Sequence, residues 1–305
     1  MRPLTPLQPI RDHVIAEVIF VGVVAIWGLT FVLSKNALAA VGPFAYNTLR
    51  MTLGALTLAA LTGHGWRAVK RSDAEAVLVS GLVLFAAYTL QAYGQQFTTA
   101  SKAGFLTGTS VAYVPLFSAW LLRRRPAMGA ILGVALAVGG LYLMSGIDGL
   151  RLAPGDAWVA LSGIGWALYI IALARYSPRV QLLPFAALHV ALAATLSGGV
   201  WLLTEPLVWP AAPAVWWGVG ITGFLIIGLG TSVQTWIMRL VAPTRVALIT
   251  TLEPVFAAVA GLLVGEALTG RVALGGGLIL VGMLVAELGP QLRTEKPVFC
   301  EKTGF

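Results

Sequence analysis

The chain has few charged residues, few histidines and a single cysteine. Only 10% of its 305 residues are charged, whereas 58% are hydrophobic, and a soluble core of this length cannot bury so much apolar surface. The lone Cys300 excludes a disulfide, a haem attachment motif and a thiolate metal cluster. The composition therefore excludes an ordinary soluble protein, and we expect no cofactor and no bound metal.

The motifs of several enzyme classes and of ATP-driven pumps are also missing. The sequence has no Walker-type phosphate loop, no His-Glu-x-x-His zinc pair and no Gly-x-Ser-x-Gly elbow. No catalytic residue is therefore predicted, and no activity driven by ATP hydrolysis is expected. Two remote alternatives remain for the function of the protein. One is an intramembrane enzyme, and the other is a sensor or scaffold that does not transport a substrate.

The sequence is instead filled by about ten apolar stretches. Each is roughly 18 to 25 residues long, which lets a helix rising 1.5 Å per residue cross a hydrocarbon layer of about 30 Å. Helices also satisfy their own backbone polar groups in lipid. We therefore predict an all-α membrane protein. The predicted spans are 18–38, 44–62, 75–94, 102–122, 128–145, 156–174, 183–203, 215–238, 246–265 and 271–288.

Basic residues are concentrated in alternate loops. Of the 20 lysines and arginines, fifteen lie on the side that holds both termini, four lie on the other side, and Arg50 lies inside a span. The positive-inside rule then predicts both termini in the cytoplasm, which agrees with an even number of spans. We expect the protein to lie in a bacterial inner membrane. The formal charge of +8 suits anionic lipid headgroups, and no nucleic-acid partner is expected.

The two halves of the chain match each other under a register shift of 139 to 143 residues. Arg50 then falls on His189, Gln91 falls on Gln234, and further weak matches keep the same order. We interpret the sequence as two five-helix repeats and a cytoplasmic tail. These units are 15–147, 155–289 and 290–305. Because five is odd, the second repeat must be inverted relative to the first, which is typical of secondary transporters with a substrate site at the repeat interface.

Three longer motifs resemble a known family. They are WGLTFVLSK at 27–35, AGFLTGTSVAYVPL at 103–116 and LITTLEPVFAAVAGLLVGE at 248–266. The chain resembles the EamA-type branch of the drug/metabolite transporter superfamily. The resemblance implies ten transmembrane helices arranged as two inverted repeats around a central cavity.

Among such carriers, the overall pattern is most similar to the YddG-type exporters. This similarity implies export of aromatic and other amino acids by alternating access. Multidrug efflux, or efflux of another metabolite, is the alternative function within the superfamily. We expect a small-molecule substrate, a lipid bilayer as the surrounding partner, and function as a monomer.

Three ionisable residues fall well inside predicted spans. Arg50 lies about six residues into span 2, where a cation costs roughly 2.5–3.5 kcal/mol unless it is paired or hydrated. Glu253 lies at the depth of His189, so we expect it to pair with His189 directly and with Arg50 at longer range, in a site for a substrate ammonium or a proton. The alternatives are a snorkelling arginine, a satisfied packing histidine and a protonated packing acid.

Polar, aromatic and proline residues complete the predicted site. Pro115 and Pro254 are expected to break spans 4 and 9 and to act as hinges, with static bends as the alternative. Side chains suited to a partly aromatic zwitterion are expected to line the cavity, although each could also be packing. These candidates are Trp27, Asn47, Tyr88, Gln91, Gln95, Tyr113, Trp166, Tyr169, Gln234 and Trp236.

Overall fold

The structure is a computed structural model that describes residues 8–98, 100–123, 126–145, 154–207, 212–263 and 269–291. The predicted tail lies outside these residues from position 292 onward. The helices are α1 (Gln8–Ala40), α2 (Pro43–Thr62), α3 (Ala74–Gln95), α4 (Ala100–Gly108), α5 (Ser110–Leu121), α6 (Met128–Ser145), α7 (Asp156–Tyr176), α8 (Leu182–Thr204), α9 (Pro213–Ile221), α10 (Thr231–Ile237), α11 (Pro243–Thr250), α12 (Glu253–Leu263) and α13 (Gly270–Gln291).

Shorter helical turns join several of these helices. Two 3-10 turns lie between α2 and α3, at Gly63–Ala68 and Arg71–Asp73, and a third follows α7 at Ser177–Arg179. A π-helical segment, Thr222–Gly230, connects α9 to α10 without a loop. The described part of the chain contains helices and turns and no strand, so the predicted all-α fold is confirmed.

Several helices are long and apolar enough to cross a membrane. Within the described residues, four segments meet this requirement in full: Arg71–Gln95, Asp156–Arg179, Leu182–Thr204 and Val215–Ile237. Three shorter apolar helices accompany them, at His13–Gly28, Met128–Met144 and Gly270–Ala286. Many leucine, valine and tryptophan side chains face outward, as with Leu203, which is 86% exposed. An outer surface of this kind suits lipid.

Two predicted spans are interrupted near their middle. The break between α4 and α5 falls at Thr109, and the break between α11 and α12 falls at Thr251 and Leu252. The Thr109 hydroxyl donates to the Leu106 carbonyl at 2.5 Å, and the Thr251 hydroxyl donates to the Leu248 carbonyl at 2.6 Å. These local bonds compete with the backbone ladder of the helix.

The position of the first break corrects a sequence prediction. Pro115 lies inside α5 and is buried, six residues after Thr109. The prediction that Pro115 breaks span 4 was therefore wrong, since proline removes one ladder hydrogen bond and the helix continues around it. Pro254, in contrast, lies at the start of α12, where the ladder does not need its missing N–H.

Glycines allow α6 and α13 to cross in close contact. A Cβ atom at Gly133 would lie 2.4 Å from the carbonyl oxygen of Gly282, and one at Gly140 would lie 2.4 Å from that of Gly275. Residue numbers rise along one helix as they fall along the other, so the two helices run antiparallel. Only glycine permits this approach of backbone to backbone.

A second pair of glycine contacts positions the ionisable residues. A Cβ atom at Gly223, in the π-helical segment, would lie 2.8 Å from the carbonyl oxygen of Arg50 on α2. A Cβ atom at Gly81, on α3, would lie 2.9 Å from the carbonyl oxygen of His189 on α8. Each ionisable residue therefore lies where a neighbouring helix approaches its backbone closely.

Candidate functional site

The site is centred on Arg50, which is held inside the bundle. Its side chain is only 8% exposed, so the snorkelling alternative does not apply. The guanidinium donates two hydrogen bonds to the amide oxygen of Asn47, from Nε at 3.0 Å and from Nη2 at 2.6 Å. Asn47 in turn donates to the backbone carbonyl of Tyr88 on α3 at 3.1 Å. This chain of bonds fixes the guanidinium relative to two helices.

Two aromatic rings support the same cation. The Arg50 guanidinium carbon lies 4.9 Å from the ring centre of Tyr46 and 4.5 Å from that of Tyr88. The Tyr46 hydroxyl is hydrogen-bonded to Thr222 at 3.0 Å. A cation between ring faces gains about 0.5–2 kcal/mol, more when water is excluded. Asn47 and the two rings thus offset part of the cost of burying the charge.

Glu253 lies near enough to Tyr88 for the two side chains to interact electrostatically, as Arg50 does with the same tyrosine. Glu253 is the first residue of α12, immediately after the helix break, and its carbonyl oxygen lies against Gly28 of α1. A carboxylate in the first turn of a helix is favoured by the helix dipole. A cation, Arg50, and an acid, Glu253, therefore both lie near Tyr88.

A chain of aromatic rings leads from Tyr88 to His189. Trp166 packs edge-on against Tyr88, with ring centres 4.6 Å apart, and against Tyr169 at 6.1 Å. The Tyr169 hydroxyl is hydrogen-bonded to His189 Nε2 at 3.0 Å. The Trp166 indole N–H is buried and has no hydrogen-bond partner among the described residues. This N–H is therefore an unsatisfied donor inside the chain of rings.

His189 is fully buried and both of its ring nitrogens are occupied. Nδ1 is bonded to the Phe185 carbonyl at 2.7 Å, and Nε2 to Tyr169. The expected pair between His189 and Glu253 is absent, and this prediction was wrong. The packing alternative describes His189 better, because a histidine with two internal partners has nothing left to offer a ligand.

Two of the other predicted lining residues, Gln91 and Trp27, contact residues outside the Arg50 cluster. Gln91 donates to the Thr107 hydroxyl at 3.3 Å, beside the α4–α5 break. Trp27 packs edge-on against Phe20 at 5.9 Å. The remaining candidates are Gln95, Tyr113, Gln234 and Trp236. Like Gln91 and Trp27, they make no hydrogen bond or ring contact with the Arg50 cluster in the described part of the chain.

Two residues of the cluster, Tyr46 and Thr222, and the cap of helix α2 were not predicted from the sequence. Tyr46 precedes Arg50 by four residues, a spacing that places both on one face of a helix and that would have identified it. Thr222 holds the Tyr46 hydroxyl. The Glu205 carboxylate caps α2 by accepting hydrogen bonds from the backbone N–H groups of Phe44 at 3.1 Å and Ala45 at 2.9 Å. No local sequence signal connects positions so far apart.

The acids and histidines do not form a metal centre in the described part of the chain. No three His, Cys, Asp or Glu side chains come together there in a way that would hold a metal ion. The chemistry available at the site is therefore charge pairing, hydrogen bonding and stacking on aromatic rings.

Comparisons with known proteins support a transport function. The model of the EamA-like transporter family matches residues 14–146 and again 153–287. An uncharacterized transporter of Archaeoglobus fulgidus is 29% identical over 274 residues, covering 87% of this chain and 83% of its own. The uncharacterized transporter YoaV of Bacillus subtilis is 23% identical over 279 residues, covering 87% of this chain and 94% of its own.

A solved crystal structure shares the fold. It superposes with a TM-score of 0.77 at 22% identity and covers 91% of this chain and 99% of its own. The apolar helices and the family match together define an integral membrane protein and a membrane transporter. The chain belongs to the EamA-like transporter family.

Proposed function

We propose that this protein exports amino acids, aromatic ones above all, by alternating access. The observation that carries the proposal is the buried guanidinium of Arg50, which lies over two tyrosine rings, with the acid Glu253 near one of them, Tyr88. An amino acid carries one carboxylate, one ammonium and a side chain. The cluster offers a complement to each of these three parts.

Arg50 would bind the substrate carboxylate. A guanidinium has five N–H donors, and the two nitrogens bonded to Asn47 leave Nη1 without a hydrogen bond to any described residue. Arginine pairs with carboxylates through two parallel bonds, which gives direction as well as energy. The rings of Tyr88 and Trp166 would stack on an aromatic side chain.

Glu253 would bind the substrate ammonium or a proton. Its position at a helix break is one in which transporters place ion and substrate sites, because unwound backbone there has free polar groups. A cationic drug would need the acid but gain nothing from Arg50. The presence of both charges therefore favours a zwitterion over multidrug efflux, which remains the second candidate because an acid and aromatic rings alone suit a hydrophobic cation.

We further propose ten spans in two inverted repeats, with both termini in the cytoplasm. Two pairs of helices, α4 with α5 and α11 with α12, would each form one broken span. The segments α9, Thr222–Gly230 and α10 would together form another. The antiparallel crossing of α6 and α13 supports inversion, because these helices would be the fifth and tenth spans. The first repeat would then comprise residues 15–147 and the second residues 155–289, with five spans in each.

Equivalent contacts in the two halves support the same arrangement. A shift of 139 residues takes Arg50 to His189, and a shift of 142 takes Gly81 to Gly223, so the contact of Gly223 with the Arg50 carbonyl corresponds to that of Gly81 with the His189 carbonyl. A shift of 143 takes the break at Thr109 to Leu252. Matching breaks near the centre of two inverted repeats would supply paired hinges for alternating access, with Pro254 beside the second one.

Uptake into proteoliposomes tests the function directly. Labelled amino acids, their amines lacking the carboxylate, and cationic dyes would be compared with and without an imposed proton gradient. We expect uptake of aromatic amino acids and weak or no uptake of the amines. If dyes were taken up and amino acids were not, multidrug efflux would replace this proposal. If neither class were taken up, both proposals would be contradicted.

A further inference from the structure

Three loops at one end of the bundle enclose a small pocket apart from the Arg50 cluster. Its volume is about 250 Å³, below the roughly 300–1,000 Å³ of sites for drug-sized molecules. The loops follow α2, α7 and α10, and the charge pattern predicts that all three are cytoplasmic. The lining residues are Ala68, Lys70, Asp73, Pro178, Arg179, Val180, Gln181 and Arg239.

The pocket has an excess of positive charge. Lys70, Arg179 and Arg239 face a single acid, Asp73. The Asp73 carboxylate already accepts the backbone N–H of Lys70 at 3.0 Å and so closes its own turn. Lys70 and Arg179 are exposed at the rim. Three cations against one carboxylate leave the pocket with a net positive charge.

Arg239 has one buried donor that lacks a hydrogen-bond partner among the described residues. Its Nη2 donates to the Val180 carbonyl at 2.8 Å, whereas its Nε is buried and makes no hydrogen bond within the described residues. Burial lowers the pKa of Arg239. A charged donor left without a partner is costly, and a bound anion would remove that cost.

We propose that this pocket binds a phosphate group, supplied either by the headgroup of an anionic lipid or by free phosphate. Guanidinium groups match phosphate oxygens through paired N–H donors, and lysine adds a mobile positive charge. Basic pockets at the cytoplasmic ends of membrane helices are suited to anionic headgroups. The occupant would connect a loop of the first half to two loops of the second half, and so stabilise the closed packing of this end.

Thermal unfolding of the purified full chain tests the proposal in two arms. In one, inorganic phosphate is compared with sodium chloride at equal ionic strength, which removes general screening. In the other, phosphatidylglycerol is compared with phosphatidylcholine in nanodiscs. The test variant is Lys70→Gln with Arg179→Gln, which keeps the Arg239 bond to Val180. The control is Arg67→Gln with Arg71→Gln, which removes two exposed cations of the loop after α2 that do not line the pocket.

We expect Tm of the wild type and of the control to rise by about 2–4 °C in at least one arm, and the rise to fall by half or more in the test variant. A rise with phosphatidylglycerol alone identifies a headgroup site, and a rise with phosphate alone identifies a site for the free anion. No rise in either arm, or an equal rise in the test variant, would overturn the proposal. The uptake assay is independent of this outcome.

Discussion

Arg50 and His189 correspond under a shift of 139 residues, and the carbonyl of each lies against a glycine of a neighbouring helix. The two side chains differ in whether they keep a hydrogen-bonding group without a partner inside the protein. Both ring nitrogens of His189 form hydrogen bonds, to Tyr169 and to the Phe185 carbonyl, whereas Nη1 of Arg50 forms no hydrogen bond to a described residue. A similar backbone frame therefore supports a closed packing contact in one half and, by our proposal, a ligand-binding cation in the other.

The largest effect is expected from removing the Arg50 cation. Arg50→Ala should lower substrate affinity about 10- to 100-fold, because charge-assisted hydrogen bonds contribute roughly 1.5–3 kcal/mol. Binding to purified protein measures the change. Arg175→Ala is a matched control, since Arg175 is exposed and also lies over a tyrosine ring, at 5.5 Å from Tyr176. An equal loss of substrate affinity in both variants would contradict a binding role that is specific to Arg50.

A smaller but still large effect is expected at Glu253. Glu253→Gln keeps the shape of the side chain and removes its charge, so uptake should fall about tenfold or more and any dependence of uptake on the proton gradient should disappear. Proteoliposome flux at several pH values measures both. Glu75→Gln is the control, because Glu75 accepts a hydrogen bond from Tyr176 away from the site. An unchanged flux and pH profile would show Glu253 to be a packing acid.

The two glycine contacts should respond alike, because they are proposed to be equivalent. Gly81→Ala and Gly223→Ala each place a Cβ within 3 Å of a carbonyl oxygen, at 2.9 and 2.8 Å. Each should lower the free energy of unfolding by about 1–3 kcal/mol. Gly199→Ala, where a Cβ meets nothing within 4 Å, is the control. Thermal unfolding in detergent measures the losses, and a loss at only one of the two glycines would break the symmetry.

The smallest effect on transport is expected at His189. His189→Leu leaves the Tyr169 hydroxyl without its partner and should destabilise the protein by about 1–3 kcal/mol, with substrate affinity unchanged. Adding Tyr169→Phe removes the orphaned hydroxyl and should recover part of that stability. Unfolding and binding are measured on the same samples. A loss of affinity at His189 comparable to that at Arg50 would mean that both halves bind substrate.

Hydropathy predicted the apolar helices well because lipid selects for length and composition. Span 2 was placed at 44–62 and α2 runs over Pro43–Thr62. Helix α1 begins ten residues before its predicted span, at Gln8, because a helix continues into polar sequence that hydropathy does not detect. The break at Thr109 was missed because it rests on a side-chain bond to the backbone, which leaves no hydropathy signal.

The sequence indicated some of the polar and aromatic residues that lie together, but it did not indicate which side chains pair with each other. Arg50, Asn47 and Tyr88 do meet. The pairing of His189 with Glu253 failed because the rise per residue gives the depth of a side chain in the membrane but not its direction around the helix. That direction is set by packing between helices distant in sequence, as at Gly81 and Gly223.

Binding of one matched pair of ligands tests the account most directly. The affinities of phenylalanine and of the corresponding amine, which lacks the carboxylate, would be measured on the wild type and on Arg50→Gln. We predict that the wild type binds phenylalanine at least about tenfold more tightly than the amine, and that the variant loses most of this preference, since the substrate carboxylate would have lost its guanidinium partner. The same preference in both proteins would contradict the assignment of Arg50 as the carboxylate-binding residue.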